Sequence, residues 1–335
     1  MRSMHFDFAP YLAALLAPIL RVFDMAEQTW WGSYAGAAVL AAGFYLWSRR
    51  GRKTTIRGLL RYLAPRRLLR HASTRLDIKM YVFSSIYLAF QALIVFGGMT
   101  GLSQLILYAA EPVIGPGAAS HALPLWALVA VPLAIYLALE FGYWLSHYLL
   151  HHVDWLWEFH KVHHSAEVLT PLVEWRQHPV EYLLVPFVMG AVSAVVRAGV
   201  TWLFGPDLDY MAMWSPGVIL IAFICTTLHL RHSHVKMSAP GVLAYILQTP
   251  AHHQIHHSTD PRHFDKNLGF CLSVWDWIFG TLYIPQGEVL RLGLYDEHGA
   301  KDELTTSTSL ATHLALPFAR TWSKIKPAPR PQPAE

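Results

Sequence analysis

Fourteen of the chain's twenty histidines lie between His147 and His257, and most of them repeat one spacing. HYLLHH carries His147, His151 and His152, HKVHH carries His160, His163 and His164, and HHQIHH carries His252, His253, His256 and His257. HLRHSH, between the last two, carries His229, His232 and His234. On a helix, residues three and four apart share a face, so each HxxHH turns three imidazoles to one side. Adjacent histidines diverge by about 100° at 3.6 residues per turn and reach toward two different points. Neutral imidazole is the commonest metal ligand among side chains. Three such clusters predict helices that hold a polynuclear metal site.

The number of ligands sets the nuclearity. His147, His151, His160, His163, His164, His253, His256 and His257 supply eight nitrogens, about twice the four that a structural zinc uses. His232 and His229 are read as two further ligands. His178, His234 and His252 stay open between binding a metal and orienting a ligand. His5, His71, His121, His298 and His313 are read as hydrogen-bonded core histidines. The clusters lack the Glu-x-x-His pairs of soluble di-iron bundles. Imidazole suits iron, zinc, copper and nickel alike. An all-nitrogen pair of ions with open positions in a membrane chain best fits O₂ activation by two iron ions, with zinc a substitute on overexpression.

The membrane assignment comes from composition. The chain is 54% hydrophobic and 14% charged, against about 25% charged in ordinary soluble domains. Cys225 and Cys271 are its only cysteines, too few for an iron–sulfur cluster or a thiolate zinc site. About 20 apolar residues cross a bilayer, and segments 31–47, 80–96 and 123–145 read as spans. Segments 182–204 and 214–228 read as a short or re-entrant hairpin, and 11–23 as an interfacial segment. The start lacks a basic region and a small-residue cleavage site, so no cleaved leader is expected.

Between the first two spans lie eleven bases, among them Arg49, Arg57, Arg67 and Lys79, against one acid, Asp77. Such a loop stays cytoplasmic. It also accounts for the sequence pI near 9.0 without a nucleic-acid partner. Segment 97–122 has no lysine or arginine and is expected to be a loop on the opposite side. Span counting then brings every histidine cluster to the cytoplasmic face. The fold expected is an all-α integral membrane protein, transmembrane helical hairpins under a cytoplasmic, histidine-rich dimetal cap. Its regions are 1–79, membrane segments and basic loop; 80–285, the catalytic membrane domain; and 286–335, a polar tail with a disordered end.

Flanking residues carry a family resemblance. Tyr143-Trp144 precede His147, and Leu156-Trp157-Glu158-Phe159 lead into His160-Lys161-Val162-His163-His164-Ser165. Arg176-x-His178-Pro179, Thr249-Pro250-x-His252-His253, Asp265-Lys266-Asn267, Trp275-Asp276 and Phe279-Gly280-Thr281 follow. In order and spacing these resemble the fatty acid hydroxylase superfamily, which includes sterol desaturases and alkylglycerol monooxygenase, over about 133–285. Tyr148, His152 and His234 depart from residues common there. The resemblance implies a helical membrane bundle with a cytosol-facing, all-histidine dimetal centre that activates O₂ with two external electrons and attacks an unactivated C–H bond.

The function expected is O₂-dependent hydroxylation or desaturation of a membrane lipid. No flavin, haem or nicotinamide motif is present, so the electrons are expected from a separate donor of the cytochrome b5 or ferredoxin–reductase type. The location expected is a bacterial inner membrane, or the endoplasmic reticulum in a eukaryote. The alternatives are a membrane metallohydrolase using metal-activated water and a non-catalytic metal-binding protein.

Overall fold

Small residues at a spacing of four, Ser33, Ala37 and Ala41, form the buried face of the first long helix, α1 (Trp31–Ser48). That face packs against the apolar helix Ile221–Arg231 (α7). Gly36 permits the contact, since a Cβ there would lie 2.0 Å from the Cys225 carbonyl oxygen. The computed structural model describes residues 20–23, 30–117, 124–205 and 221–325, without the side chains of 86–93. Residues 11–19 of the segment read as interfacial, residues 214–220 of the expected hairpin and the last ten residues lie outside the described residues.

Helix α2 (Ile56–Leu63) is capped by Thr55, whose hydroxyl accepts from Gly58 N at 3.1 Å. Helix α3 (Ala72–Ile114) starts at His71, whose Nδ1 accepts from Ser73 N at 3.2 Å, and runs for 43 residues. At 1.5 Å per residue it is about 65 Å long, twice the depth of a hydrocarbon core. Its first turns stand in the cap, where Leu76 and Met80 bury against Val162 and Leu304. Its far half, Ile94–Ile114, is apolar enough to cross a membrane.

This corrects the expectation that the span ends near residue 96 and that 97–122 is a loop. The helix instead continues through Gly97, Gly98 and Gly101. In lipid every backbone polar group must bond internally, which keeps a glycine-containing apolar segment helical.

Among the described residues, helices α4 (Ala127–His152) and α6 (Pro179–Phe204) complete the three long and apolar enough to span; 182–204 is thus part of a full-length 26-residue helix and not the limb of a short hairpin, while α1, expected as a span, is not among the three. α6 packs along both α3 and α4. Gly142 allows the second contact, because a Cβ there would lie 2.6 Å from the Met189 Cα. α6 begins with a capping box in which Glu181 Oε1 accepts from His178 N at 2.9 Å.

The cap gathers at one end of this bundle. It contains α5 (Asp154–His164), a 3-10 turn at Pro171–Trp175, and the short helices α8 (Leu243–Ile246), α9 (Pro250–His256) and α10 (Val274–Ile278). In the segment beyond residue 285 the chain forms α11 (Leu310–Ile325), which packs on α5. The described chain is all-helical, with two isolated bridges, Leu247 with Leu272 and Tyr295 with Lys301.

Candidate metal centre

The helical offset between neighbouring histidines separates them into two groups. His147, His151, His160, His164 and His256 bring one nitrogen each within 4.8 Å of one another, and so do His163, His232, His253 and His257. With metal–nitrogen bonds near 2.0–2.1 Å, nitrogens on opposite sides of one ion lie about 4 Å apart, so each group matches the span of one coordination shell. Adjacent pairs divide between groups: His164 and His256 serve one, His163 and His257 the other.

The hydrogen bonds of the second ring nitrogens fit a cation. His147 Nδ1 donates to Leu268 O at 2.8 Å, and His160 Nδ1 donates to Glu181 Oε2 at 2.6 Å. Both Nε2 atoms then carry lone pairs, and these face each other at 3.1 Å. His163 Nδ1 donates to Arg176 O at 3.3 Å, while His232 Nδ1 lies 3.0 Å from Glu174 Oε2. Their Nε2 atoms are 3.3 Å apart. His151 Nδ1 pairs with Asp265 Oδ1 at 3.1 Å and His256 Nδ1 donates to Lys266 O at 3.0 Å, leaving both Nε2 atoms buried without a hydrogen-bond partner. Lone pairs converging at such distances repel unless a positive ion lies between them. The donor set suits borderline metals that take imidazole, iron and zinc among them.

Burial keeps these imidazoles neutral, the form that can bind a metal. It holds His164, His256 and His257 well below the ordinary histidine range, with the neighbouring imidazoles adding to the shift. Glu174 behaves differently. Burial pushes its carboxyl up, but Arg231 and His232 overcome this and hold it well below the usual carboxylate range. Arg231 Nη2 donates to Glu174 Oε1 at 2.8 Å and its guanidinium lies 4.6 Å over the Phe270 ring. The charged carboxylate thus fixes the His232 ring.

The structure places His229 in neither group, unlike the sequence expectation. His229 Nε2 lies 2.8 Å from Ser33 Oγ, and Tyr34 stacks on the ring at 3.9 Å. It sits three positions before His232, but the chain leaves the helix at His232, so the two rings part. The open cases also separate from both groups. His178 caps α6, with Nδ1 accepting from Val180 N at 3.2 Å. His252 Nδ1 bonds Thr249 Oγ1 at 2.6 Å, and His234 packs on Tyr62. His71 and His313 have the structural hydrogen bonds expected of them. His298, expected in the core, is instead exposed beside Glu297 in a polar turn, and His5 and His121 lie outside the described residues.

Sequence reasoning gave no role to Glu174, Glu181 or Arg231. Their signal is position alone, since acids two to four residues from a cap histidine or turn are common. Asp265 and Lys266 belong to the quoted motifs, yet spacing does not reveal that they hold His151 and His256.

Two cavities approach the centre from different sides. An apolar one of about 320 Å³ runs between α3, α4 and α6, past Phe96, Leu139 and Met189, to His147, His160 and His163. A larger, more polar one of about 880 Å³ opens on His151, His164, His256 and His257, with Lys161, Asp265 and Arg291 on its walls.

Residues 132–281 match the family model for fatty acid hydroxylase. This match and the relatives below support the fatty acid hydroxylase superfamily for the segment. It is similar to alkylglycerol monooxygenase from Xenopus tropicalis, 28% identical over 160 residues, which are 48% of this chain and 32% of that protein. The human alkylglycerol monooxygenase is 30% identical over 155 residues, 46% of this chain and 31% of its own. Ornithine lipid hydroxylase from Rhizobium tropici is 32% identical over 146 residues, 44% of this chain and 40% of its own. The chain thus spans about a third of the length of these alkylglycerol monooxygenases. No solved structure matches.

Proposed function

We propose that the chain is a membrane-embedded lipid oxygenase with a dinuclear iron centre. In this reading His147, His151, His160, His164 and His256 hold one ion, and His163, His232, His253 and His257 the other. The catalytic region is 80–285, with the cap on the cytoplasmic side. One observation carries the reading: the apolar cavity between the membrane helices ends on imidazoles of both groups, His147 and His160 from one and His163 from the other.

Iron bound by these groups would supply O₂ activation and C–H oxidation, with electrons from an external one-electron donor. The chain's own contributions are positional. Val95, Leu139, Val185 and Met189 line an apolar path that suits an acyl or alkyl chain and excludes water. Glu181, Glu174 and the carbonyls of Arg176, Lys266 and Leu268 hold the imidazoles in one tautomer and orientation, which raises ligand basicity. The names of the alkylglycerol and ornithine lipid enzymes support a lipid substrate and hydroxylation. Desaturation begins with the same hydrogen abstraction.

The deciding experiment supplies purified, iron-loaded protein with lipid extract, a reductant and isotopically labelled O₂. Label in a hydroxylated lipid, or O₂ consumption matched to a new double bond, is the expected result. Turnover without O₂, with oxygen drawn from labelled water, would instead establish a metallohydrolase.

A further inference from the structure

Two short helices on the outside of the cap carry an apolar surface that no other described part of the chain covers. Around α8, Val242, Leu243 and Ile246 are exposed, and at α10 Trp277, Ile278 and Phe279 are exposed, each between 39% and 69% accessible. The helices form one tongue. Tyr245 packs edge-on against Trp277 at 5.9 Å, and Ser273 N donates to Ile246 O at 2.9 Å. Segment 237–247 has no charged residue, and the one charge of α10, Asp276, is fully buried. Water-facing surfaces rarely carry a contiguous apolar patch of this kind.

The position of the tongue indicates what covers it. Phe279 stacks on Trp144 at 4.4 Å and on Phe141 at 5.8 Å, and Trp275 packs on Phe141 at 4.9 Å. Phe141 and Trp144 belong to the span Ala127–His152, roughly two to three turns before its histidine-bearing end. Farther along the same helix, Leu128, Val129 and Leu133 are exposed as the outer surface of the span. The apolar face of the tongue therefore continues the lipid-facing surface at the depth where bilayer meets cap. Tyr245 and Trp277 are the side-chain types favoured at that depth.

We propose that the α8–α10 tongue lies in the plane of the membrane interface, with its apolar face immersed in the cap-side leaflet. Its root is the segment between the two helices. There Phe270 lines the apolar cavity, and the amides of Cys271 and Leu272 donate to Glu140 Oε2 of α4 at 3.0 and 3.1 Å. One element thus touches the leaflet with its tip and forms cavity wall with its root. The inference rests on the reading of α4 and α6 as spans and is independent of the chemistry at the metal centre.

The test uses the full chain in lipid nanodiscs with Cys225→Ser, leaving Cys271, which is 4% exposed, as the labelling blank. Leu243→Cys and Ile278→Cys carry an environment-sensitive fluorophore. Val195→Cys, 62% exposed on α6, is the lipid control, and Val289→Cys, 97% exposed, is the water control. The expected result is blue-shifted emission at both tongue positions, with quenching by brominated lipid at least about twofold stronger than at the water control, as immersion by about 5–10 Å requires. Quenching by aqueous iodide at the level of Val289→Cys overturns the proposal. So does protection from both quenchers, which would mean that a second copy or another protein covers the patch. If Val195→Cys also escapes the brominated lipid, the spanning reading fails and the tongue proposal fails with it.

Discussion

His147 Nδ1 donates to the carbonyl oxygen of Leu268 at 2.8 Å, a hydrogen bond between residues 121 positions apart. It is one of three such anchors on a single short loop. Asp265 Oδ1 holds His151, Lys266 O holds His256, and Leu268 O holds His147. Two residues of the loop, Asp265 and Asn267, have φ near +57° and +58°, a region most side chains avoid. Asn267 is fixed there by its side chain, which donates to His252 O at 3.1 Å and to Tyr283 O at 2.9 Å and accepts from Tyr283 N at 2.8 Å. Asp276 secures the other end, accepting from Leu268 N and Gly269 N at 2.8 and 2.9 Å and from Trp144 Nε1 at 3.2 Å.

Asp276→Ala should therefore weaken a metal site it does not touch. Its loss strands buried amides at about 1–3 kcal/mol each and frees the carbonyl that orients His147. The expected outcome is about 10–100-fold lower metal affinity, typical for loss of an outer partner of a ligand, with a lowered melting temperature. Titration of the apo protein with metal, monitored by competition with a chelator, measures it. Unchanged affinity would show that the loop holds without Asp276.

His229 and His232 should respond oppositely to substitution. His229→Asn removes the Ser33 hydrogen bond and the Tyr34 stacking, costing stability on the order of 1 kcal/mol, and should leave metal content intact. His232→Asn takes a nitrogen from the second group and should lower metal content. Elemental analysis of the two purified variants side by side checks this. Metal loss in His229→Asn would restore it as a ligand.

The intact chain should bind one ion per histidine group, two in all. At saturating metal, His164→Ala and His257→Ala should each fall toward one ion per chain, because each removes a nitrogen from a different group. Metal-to-protein ratios from inductively coupled plasma measurements decide it. A ratio near one in the unaltered chain would end the dinuclear reading.

Arg176 should be as sensitive as a ligand for a different reason. Its Nε donates to Asp77 Oδ1 at 2.6 Å and its Nη2 to Ser73 O at 2.7 Å, all within the protein interior. Asp77→Ala leaves a buried guanidinium without its counter-charge, a loss of about 3–5 kcal/mol. Denaturant unfolding or thermal inactivation should report it. Asp77→Asn, which keeps an acceptor, should fall between Asp77→Ala and the parent.

Asp77 also illustrates where the sequence stopped being legible. Counted along the chain it is one acid among eleven bases, a loop residue in a solvated run. In space it is the buried partner of a residue 99 positions away. The HxxHH spacing was readable because helix geometry is local: three and four residues apart means one face, and adjacent residues diverge. The same local logic failed at His229, because the chain leaves the helix at His232 and the repeat no longer describes the rings. The end expected at residue 96 came from the length a span needs, whereas this helix starts in the cap and is longer than a crossing alone requires. The carbonyl anchors of Arg176, Lys266 and Leu268 leave no trace in sequence, since every residue has a carbonyl and only the tertiary fold selects which one faces an imidazole.

The sharing of each helix between two groups has a consequence for assembly. α5 supplies His160 and His164 to one group and His163 to the other, while α9 and the residue that caps its C-terminus supply His256 to the first and His253 and His257 to the second. An ion captured by either group fixes the rotation of both helices about their axes. The ordering entropy for the remaining group is then already spent, so a second ion meets a site closer to its final form. Uptake of the pair is expected to be positively cooperative, with half-loaded molecules scarce at every metal concentration.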